Sequence, residues 1–554
     1  VNTISEHSTD DLTFFDAEFA HGDVVSGGDL DRELLKGLGH RVDCSPRAYA
    51  ACMTQAGLLT LALLCGAALL PDGERSQPNV VIFLVDDWGW TDASLVLSPE
   101  RTPNHDWFRT PNIERLAAKG MRFTEAYSAS PVCSPTRTSL LTGKNPARTH
   151  ITTWINARGP EAKTKPEDER LLVPRWNEVG LTEDNETLPK LLAANGYATW
   201  HLGKAHFGLK GHSGADPTKL GFEVNVGGKH IGGPGSYQGE AHYSRNKKDG
   251  HEYQVEDLEE FHGSDTHLTD ALTERACRLI EEAEENDDQP FFMHLAHYAV
   301  HTPIQRHERF METYEGSGRK KAAEEYASMV EGVDASVGAV LDALEEAGEL
   351  EDTIFVLFSD NGAHNFLAGP PTTNAPLRGG KGTWYEGGVR VPLVVTWPGE
   401  IERDSVCDVP VVSDDLFPTL LSACGVEESE EEIDGVDFTP LLKGAGELKR
   451  PYDLVWHFPH YWAWPGARTA ETGVNPYSSI LVGDHRLIYS YDDEHIELYD
   501  LSKDLGERSD LSKERPELAA ALCERLSARL EELGAQTPRA RETGEPVALP
   551  HVGD

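Results

Sequence analysis

Two apolar runs, far apart in the chain, end in the same way. Asn79-Val80-Val81-Ile82-Phe83-Leu84-Val85 stops at Asp86-Asp87, and Thr353-Ile354-Phe355-Val356-Leu357-Phe358-Ser359 stops at Asp360-Asn361-Gly362. Unbroken apolar segments of this length read as strands buried on both faces, the pattern of a parallel sheet covered by helices. The fold class they predict is α/β: a large, mixed, mostly parallel sheet flanked by helices. In open α/β sheets, ligands bind beyond the carboxyl ends of the strands. Asp86, Asp87, Asp360 and Asn361 bring four oxygen-bearing side chains to that edge, a donor set that suits a hard divalent cation. Asp-Asn-Gly alone is a common turn, so the inference rests on the pairing of the two strand ends.

The run Cys133-Ser134-Pro135-Thr136-Arg137 precedes Thr138-Ser139-Leu140-Leu141-Thr142-Gly143. Pro135 suits the first turn of a helix, Thr136 to Leu141 continue it, and Gly143 can end it. Cys133 is then expected at a helix N-terminus, where free N–H groups and the dipole stabilise negative charge. Arg137, one turn on, can fork two N–H groups onto oxyanions. Taken alone, Cys-x-Pro-x-Arg also describes a buried structural cysteine beside an ordinary helix start. Three further segments decide between these readings: Gly203-Lys204-Ala205-His206-Phe207-Gly208, His301-Thr302-Pro303, and Gly379-Gly380-Lys381-Gly382-Thr383-Trp384-Tyr385-Glu386-Gly387-Gly388.

In this order the segments resemble the signature elements of the type I sulfatases, arylsulfatase A-like members of the alkaline-phosphatase superfamily. The resemblance covers roughly residues 78–515. It implies oxidation of Cys133 to 3-oxoalanine (formylglycine) by a formylglycine-generating enzyme. It also implies one Ca²⁺ on Asp86, Asp87, Asp360 and Asn361, with the oxidised Cys133 adding a further oxygen. Mg²⁺ is the alternative, although Ca²⁺ tolerates less regular geometry. The implied roles follow. The hydrated aldehyde attacks sulfur, and Asp360 accepts its proton. Lys204, Lys381 and Arg137 neutralise the sulfuryl oxygens. His301, with Lys381, protonates the leaving alcohol. His206 takes the proton whose loss lets sulfate depart and the aldehyde return. A phosphonate monoester hydrolase or phosphodiesterase of the same superfamily is the first rival, and a non-catalytic sulfated-glycan-binding relative the second.

The catalytic domain is expected over residues 78–425, followed by the acidic, linker-like Glu427 to Glu432. A C-terminal α+β subdomain is expected over 434–536, with short antiparallel strands at 479–482, 486–489 and 496–500 and an amphipathic helix from Glu517 to Leu533. A mobile tail, 537–554, completes the chain. Residues 1–52 read as a polar extension and 53–72 as a signal peptide with the apolar run Ala56 to Leu70. That run is short of the ~20 residues of a stable membrane span. Leu64 before Cys65 is poor for a lipobox, so export to the periplasm or medium is expected without a lipid anchor. Eight cysteines with no Cys-x-x-Cys pair suggest neither a disulfide framework nor a zinc site. The net charge of −43 argues against nucleic acid as a partner. The aromatic stretch Trp456 to Trp464 reads equally as a sugar platform or as a packed interface. The expected substrate is a sulfated carbohydrate cleaved at a chain end, with the Trp154 to Thr182 insertion shaping the rim.

Overall fold

The computed structural model describes residues 77–552 apart from 157–169, 246–249, 285–288, 365–370, 428, 430 and 462–474. The expectations for residues 1–72, including Cys65, lie outside the described residues. So do Trp462 to Trp464 and much of the Trp154 to Thr182 insertion.

The first apolar run is β1 (Asn79–Val85), and the second is β6 (Thr353–Ser359). Between them come β2 (Met121–Phe123), β3 (Ala198–Gly203), β4 (Val224–Val226) and β5 (Phe291–Ala296); β7 (Leu393–Thr396) and β8 (Ser405–Cys407) follow. They form one eight-stranded sheet in the order β8-β2-β7-β6-β1-β5-β3-β4. β7 runs antiparallel to both neighbours, and every other adjacent pair is parallel. The sheet is therefore mixed and mostly parallel, as the sequence predicts.

The alternation of β1 shows why its apolar run is unbroken. Val81, Phe83 and Val85 join the core beneath the helices Leu268–Glu284 and Lys321–Glu346. Val80, Ile82 and Leu84 join the core on the other face, with the helices Leu188–Ala194 and Leu416–Ala423. Each such side chain, fully buried, contributes about 1.5–3 kcal/mol from the water it leaves. A polar residue at any of these six positions would face apolar atoms whichever way it pointed.

Beyond this sheet, β9 (Leu454–Phe458), β10 (Tyr477–Val482), β11 (His485–Ser490) and β12 (His495–Asp500) form an antiparallel sheet in sequence order. The helix Pro516–Glu532 packs on it through Leu522, Leu526 and Leu530. β9 is the start of the aromatic stretch. Trp456 and Phe458 are buried with Tyr127, Val132 and Trp384, and the Trp456 indole donates to the Ser128 carbonyl at 2.9 Å. This part of the stretch is a packed interface, not a platform.

The residues after Gln536, expected as a mobile tail, are instead laid against the molecule. Arg539–Ala540 pairs with Leu171–Leu172, and Val547 and Leu549 pack on the C-terminal core. The polarity of the segment hides these two apolar anchors. Five cysteines are present among the described residues, at 133, 277, 407, 424 and 523, and all are free. No helix among the described residues is long and apolar enough to cross a membrane.

Candidate active site

The expected helix runs Cys133–Thr142 and is buried at every position. Val132, its N-cap, supplies no side-chain cap, so the first-turn N–H groups are left to the site. Gly143 ends the helix at φ 66, and a Cβ there would also meet the Phe417 ring at 2.8 Å. The helix start faces the carboxyl ends of β1, β3, β5 and β6, where the remaining motif residues emerge.

Asp86 and Asp87 follow β1, and Asp360 and Asn361 follow β6 one strand away; all four are fully buried. The Cys133 thiol lies 3.9 Å from Asp86 Oδ1 and receives the Lys381 ammonium at 3.3 Å. Lys204 Nζ is 2.5 Å from Asp86 Oδ2, and Lys381 Nζ is 2.5 Å from Asp87 Oδ1. Arg137 donates Nε to Asp360 Oδ2 at 2.8 Å and Nη1 to the Lys204 carbonyl at 2.7 Å. Its Nη2 has no hydrogen-bond partner among the described residues. Three buried carboxylates are thus met by three buried cations.

Electrostatics in this enclosure follow from burial and neighbours. Burial, reinforced by the Asp360 carboxylate, pushes Asp86 up to about 8 against the pull of Lys204. Burial would also raise Asp87, but Lys381, His301 and His364 together hold it below the usual carboxylate range. Burial pushes the Cys133 thiol up, outweighing Lys204 and Lys381, so the sulfur stays protonated. Burial would lower Lys381, yet the Asp87 carboxylate beside it holds it above its ordinary value.

The two motif histidines are each committed at one nitrogen. His206 donates Nε2–H to the Ile155 carbonyl at 2.7 Å, which leaves Nδ1 as a buried lone pair without a partner among the described residues. His301 donates Nδ1–H to the Thr302 carbonyl at 2.8 Å, and its Nε2 lies 3.8 Å from Asp87 Oδ2. Burial holds both imidazoles well below their ordinary value. Asp87 at φ 60 and His206 at φ 57 occupy a left-handed conformation uncommon outside glycine, a cost the surrounding contacts sustain.

Whether these residues suit a cation is tested by the oxygens they leave over. Asn361 donates Nδ2–H to Asp87 Oδ1 at 2.8 Å and to the Gly362 carbonyl at 3.0 Å, which fixes its amide orientation. Asn361 Oδ1 and Asp87 Oδ2 are then buried acceptors with no donor among the described residues. An unmet buried acceptor costs about 1–3 kcal/mol, and a cation removes that cost. One ligand atom each from Asp86, Asp87, Cys133 and His301 fall within 4.8 Å of one another. The donor set, oxygen-rich and anionic, fits a hard divalent ion.

All the residues singled out from the sequence meet here: Asp86, Asp87, Cys133, Arg137, Lys204, His206, His301, Asp360, Asn361 and Lys381. Sequence reasoning missed two others. Ser134 Oγ accepts the Ile155 N–H at 3.1 Å, so the motif serine holds the segment whose carbonyl holds His206. His364 is lowered by burial to about 4, with Asp87 raising and Lys381 lowering it. Its place four residues after Asp360 was the available signal.

Comparison with known proteins accords with this geometry. The sulfatase family model matches residues 78–426, and a model described as N-sulphoglucosamine sulphohydrolase, C-terminal, matches residues 380–536. A sulfatase of Formosa agariphila is 30% identical over 508 residues, covering 83% of this chain and 89% of its own length. N-acetylgalactosamine-6-sulfatase of Mus musculus is 32% identical over 501 residues, covering 85% and 89%. The crystal structure of Ps i-CgsB in complex with k-i-k-neocarrahexaose superposes with a TM-score of 0.65 at 27% identity, covering 82% of this chain and 93% of that one. A match over most of the chain, to a family whose signature residues converge on one buried pocket, leaves a single assignment: the chain belongs to the sulfatase family, hydrolases of sulfuric esters.

Proposed function

We propose that this sulfatase acts on a sulfated carbohydrate, at a chain end, through a formylglycine made from Cys133 and one bound Ca²⁺. The observation that carries the reading is the placement of Cys133. It lies at an uncapped helix start, between the Asp86 carboxylate and the Lys381 ammonium, beside two buried oxygens that lack a donor. A protonated, buried thiol is a poor nucleophile, whereas its oxidised, hydrated form would present hydroxyl groups at the same point. Asp86, Asp87, Asp360 and Asn361 would hold the ion, whose Lewis acidity lowers the pKa of a hydroxyl beside it.

The chain's own residues supply the rest. Asp360 accepts the proton of the attacking hydroxyl. Arg137, whose Nη2 makes no hydrogen bond among the described residues and lies 3.9 Å from Asp86 Oδ1, Lys204 and Lys381 balance the charge on the sulfuryl oxygens. His301 keeps Nε2 for the departing alcohol oxygen; burial favours its neutral form, and an arriving sulfate ester favours its protonated form. His206, neutral and with Nδ1 open, takes a proton as sulfate leaves.

The carbohydrate class is supported by relatives named for, or crystallised with, sugars. The apolar run Ala56 to Leu70 supports export, and the maturation partner is a formylglycine-generating enzyme. The test is co-expression with that enzyme, followed by sulfate release from a panel of sulfated mono- and oligosaccharides with Ca²⁺. Matched phosphate and phosphonate esters and Cys133→Ala serve as controls. Release from a sugar, lost in the variant, is expected. Faster turnover of phosphonate esters by a fully converted enzyme would move the reading to the phosphonate hydrolases.

A further inference from the structure

The loop Gly227-Gly228-Lys229-His230-Ile231-Gly232-Gly233-Pro234-Gly235 follows β4 and passes over both motif histidines. Neither Gly232 nor Gly233 has a positive φ, so no left-handed backbone conformation bars a side chain there. What they lack is room. A Cβ on Gly232 would stand 2.8 Å from Cε1 and 3.3 Å from Nδ1 of His206. A Cβ on Gly233 would stand 2.9 Å from Nδ1 and 3.1 Å from Cε1 of His301. Two consecutive glycines therefore lie in contact with two different imidazoles, one each.

Each ring is held from a second side by its hydrogen bond, His206 to Ile155 and His301 to Thr302. The loop is also tied to the His206 segment directly, because the His206 N–H donates to the Lys229 carbonyl at 3.0 Å. We propose that Gly232 and Gly233 are positioning residues for the two proton-transfer steps, Gly232 setting the ring of His206 and Gly233 the ring of His301. This rests on the reading given under Proposed function. In that reading the S–O bond to the alcohol breaks as His301 gives its Nε2 proton to the departing oxygen. Sulfate later leaves with the electron pair of its bond to the carbon at position 133, the carbonyl re-forms, and His206 takes the proton of the remaining hydroxyl at Nδ1. The first step depends on how poor a leaving group the alcohol is, and the second does not depend on the alcohol at all.

Gly232→Ala and Gly233→Ala separate the two. Misplacing a catalytic group by about 1 Å costs on the order of 10²-fold. Gly233→Ala is expected to lower turnover of sugar sulfates by roughly that factor while aryl sulfates, whose phenolate needs no acid, lose less than about 3-fold. Gly232→Ala is expected to slow both substrate classes alike, with the alcohol released in a burst ahead of sulfate. Gly228→Ala, in the same loop, is the control, because the atoms its Cβ would meet first are Asn225 Oδ1 at 2.3 Å and His201 Cδ2 at 2.4 Å rather than either motif histidine. Its stability falls, and its leaving-group dependence stays that of the wild type.

A second readout needs no maturation. In the unconverted protein, imidazole ¹⁵N shifts are expected to move for His206 alone in Gly232→Ala and for His301 alone in Gly233→Ala. If an alanine variant does not fold, ring ¹⁵N relaxation in the wild type is read instead, with both rings as rigid as the backbone. Equal losses on all substrates from both variants, unchanged ring shifts, or freely flipping wild-type rings would overturn the proposal. A matured wild type that releases no sulfate would overturn the proposed chemistry while leaving the ring shifts to report on positioning separately.

Discussion

At the scale of single residues, the site is a set of groups each committed on one side and open on the other. Among the described residues Cys133 touches only Asp86 and Lys381 by polar contact, so Cys133→Ala should leave the melting temperature nearly unchanged while sulfate release falls at least ~10³-fold. A variant that keeps most of its turnover would remove Cys133 from the chemistry. Ser134→Ala tests the relay behind it. Losing the hydroxyl that receives Ile155 N–H should cost about 1 kcal/mol of stability, and kcat should fall by about tenfold as His206 loses its anchor. Unchanged kcat in a folded Ser134→Ala protein would show that His206 is held without it. Cys133 before Pro135 and Asp86 after an apolar strand were legible from the local logic of their runs, whereas Lys204, His206, His301 and Lys381 were legible only through the resemblance to the sulfatase family. Ser134, Gly232, Gly233 and His364 were not, because their roles depend on which distant segment lies against them.

At the scale of elements, the Lys381 loop is fastened by the C-terminal lobe. Glu386 receives the Tyr127 hydroxyl at 3.0 Å and Arg390 at 3.2 Å, and it pairs with Arg486 of β11. The Glu386 N–H donates to Glu507 Oε2 at 2.7 Å, and Arg486 also donates to the Trp384 carbonyl at 2.9 Å. Arg486→Met would leave Glu386 buried without its principal partner, a loss of about 3–5 kcal/mol, and should raise KM as Lys381 loosens. Thermal melts and kinetics on the same preparation check both parts, and an unaltered KM would uncouple the lobe from the site. Burial pushes Glu507 up to about 8, reinforced by Glu386 and opposed by Arg486. The folded state therefore binds the proton more tightly than the unfolded chain, so this contribution is fully present below about 4.5 and is lost as pH rises through about 8. Glu507→Gln should gain stability relative to the wild type across that window, and a difference in melting temperature that does not move with pH would contradict the assignment. The strands β10 to β12 were legible from their alternation. β9 was hidden by aromatic residues that suit a sugar site as well as a core, and the last segment by the sparseness of its apolar anchors.

At the scale of the whole molecule, a chain of net charge −43 must bring an anionic ester into a pocket of three carboxylates and three cations. A divalent ion would leave that pocket with two positive charges in surplus, a short-range attraction inside a long-range repulsion. Chelation should therefore lower both activity and melting temperature. Ca²⁺ at 100 times its dissociation constant should restore about 2.7 kcal/mol, and a melt indifferent to chelator would argue against a resident ion. For a polyanionic oligosaccharide, kcat/KM should rise as salt goes from about 10 to 150 mM, since the Debye length shrinks from roughly 30 to 8 Å and screens the repulsion first. A steep fall would mean that the pocket's own field governs capture. The α/β class was legible because doubly buried strands leave a plain mark, while the substrate was not, because rim geometry depends on loops rather than motifs. The measurement that bears most directly on the account is sulfate release per mole of enzyme across preparations that differ in the fraction of Cys133 converted, read by mass from the peptide that contains it. Release proportional to conversion, passing through zero for unconverted protein, is the predicted result. Release that does not depend on conversion would contradict the assignment of formylglycine at position 133 as the nucleophile.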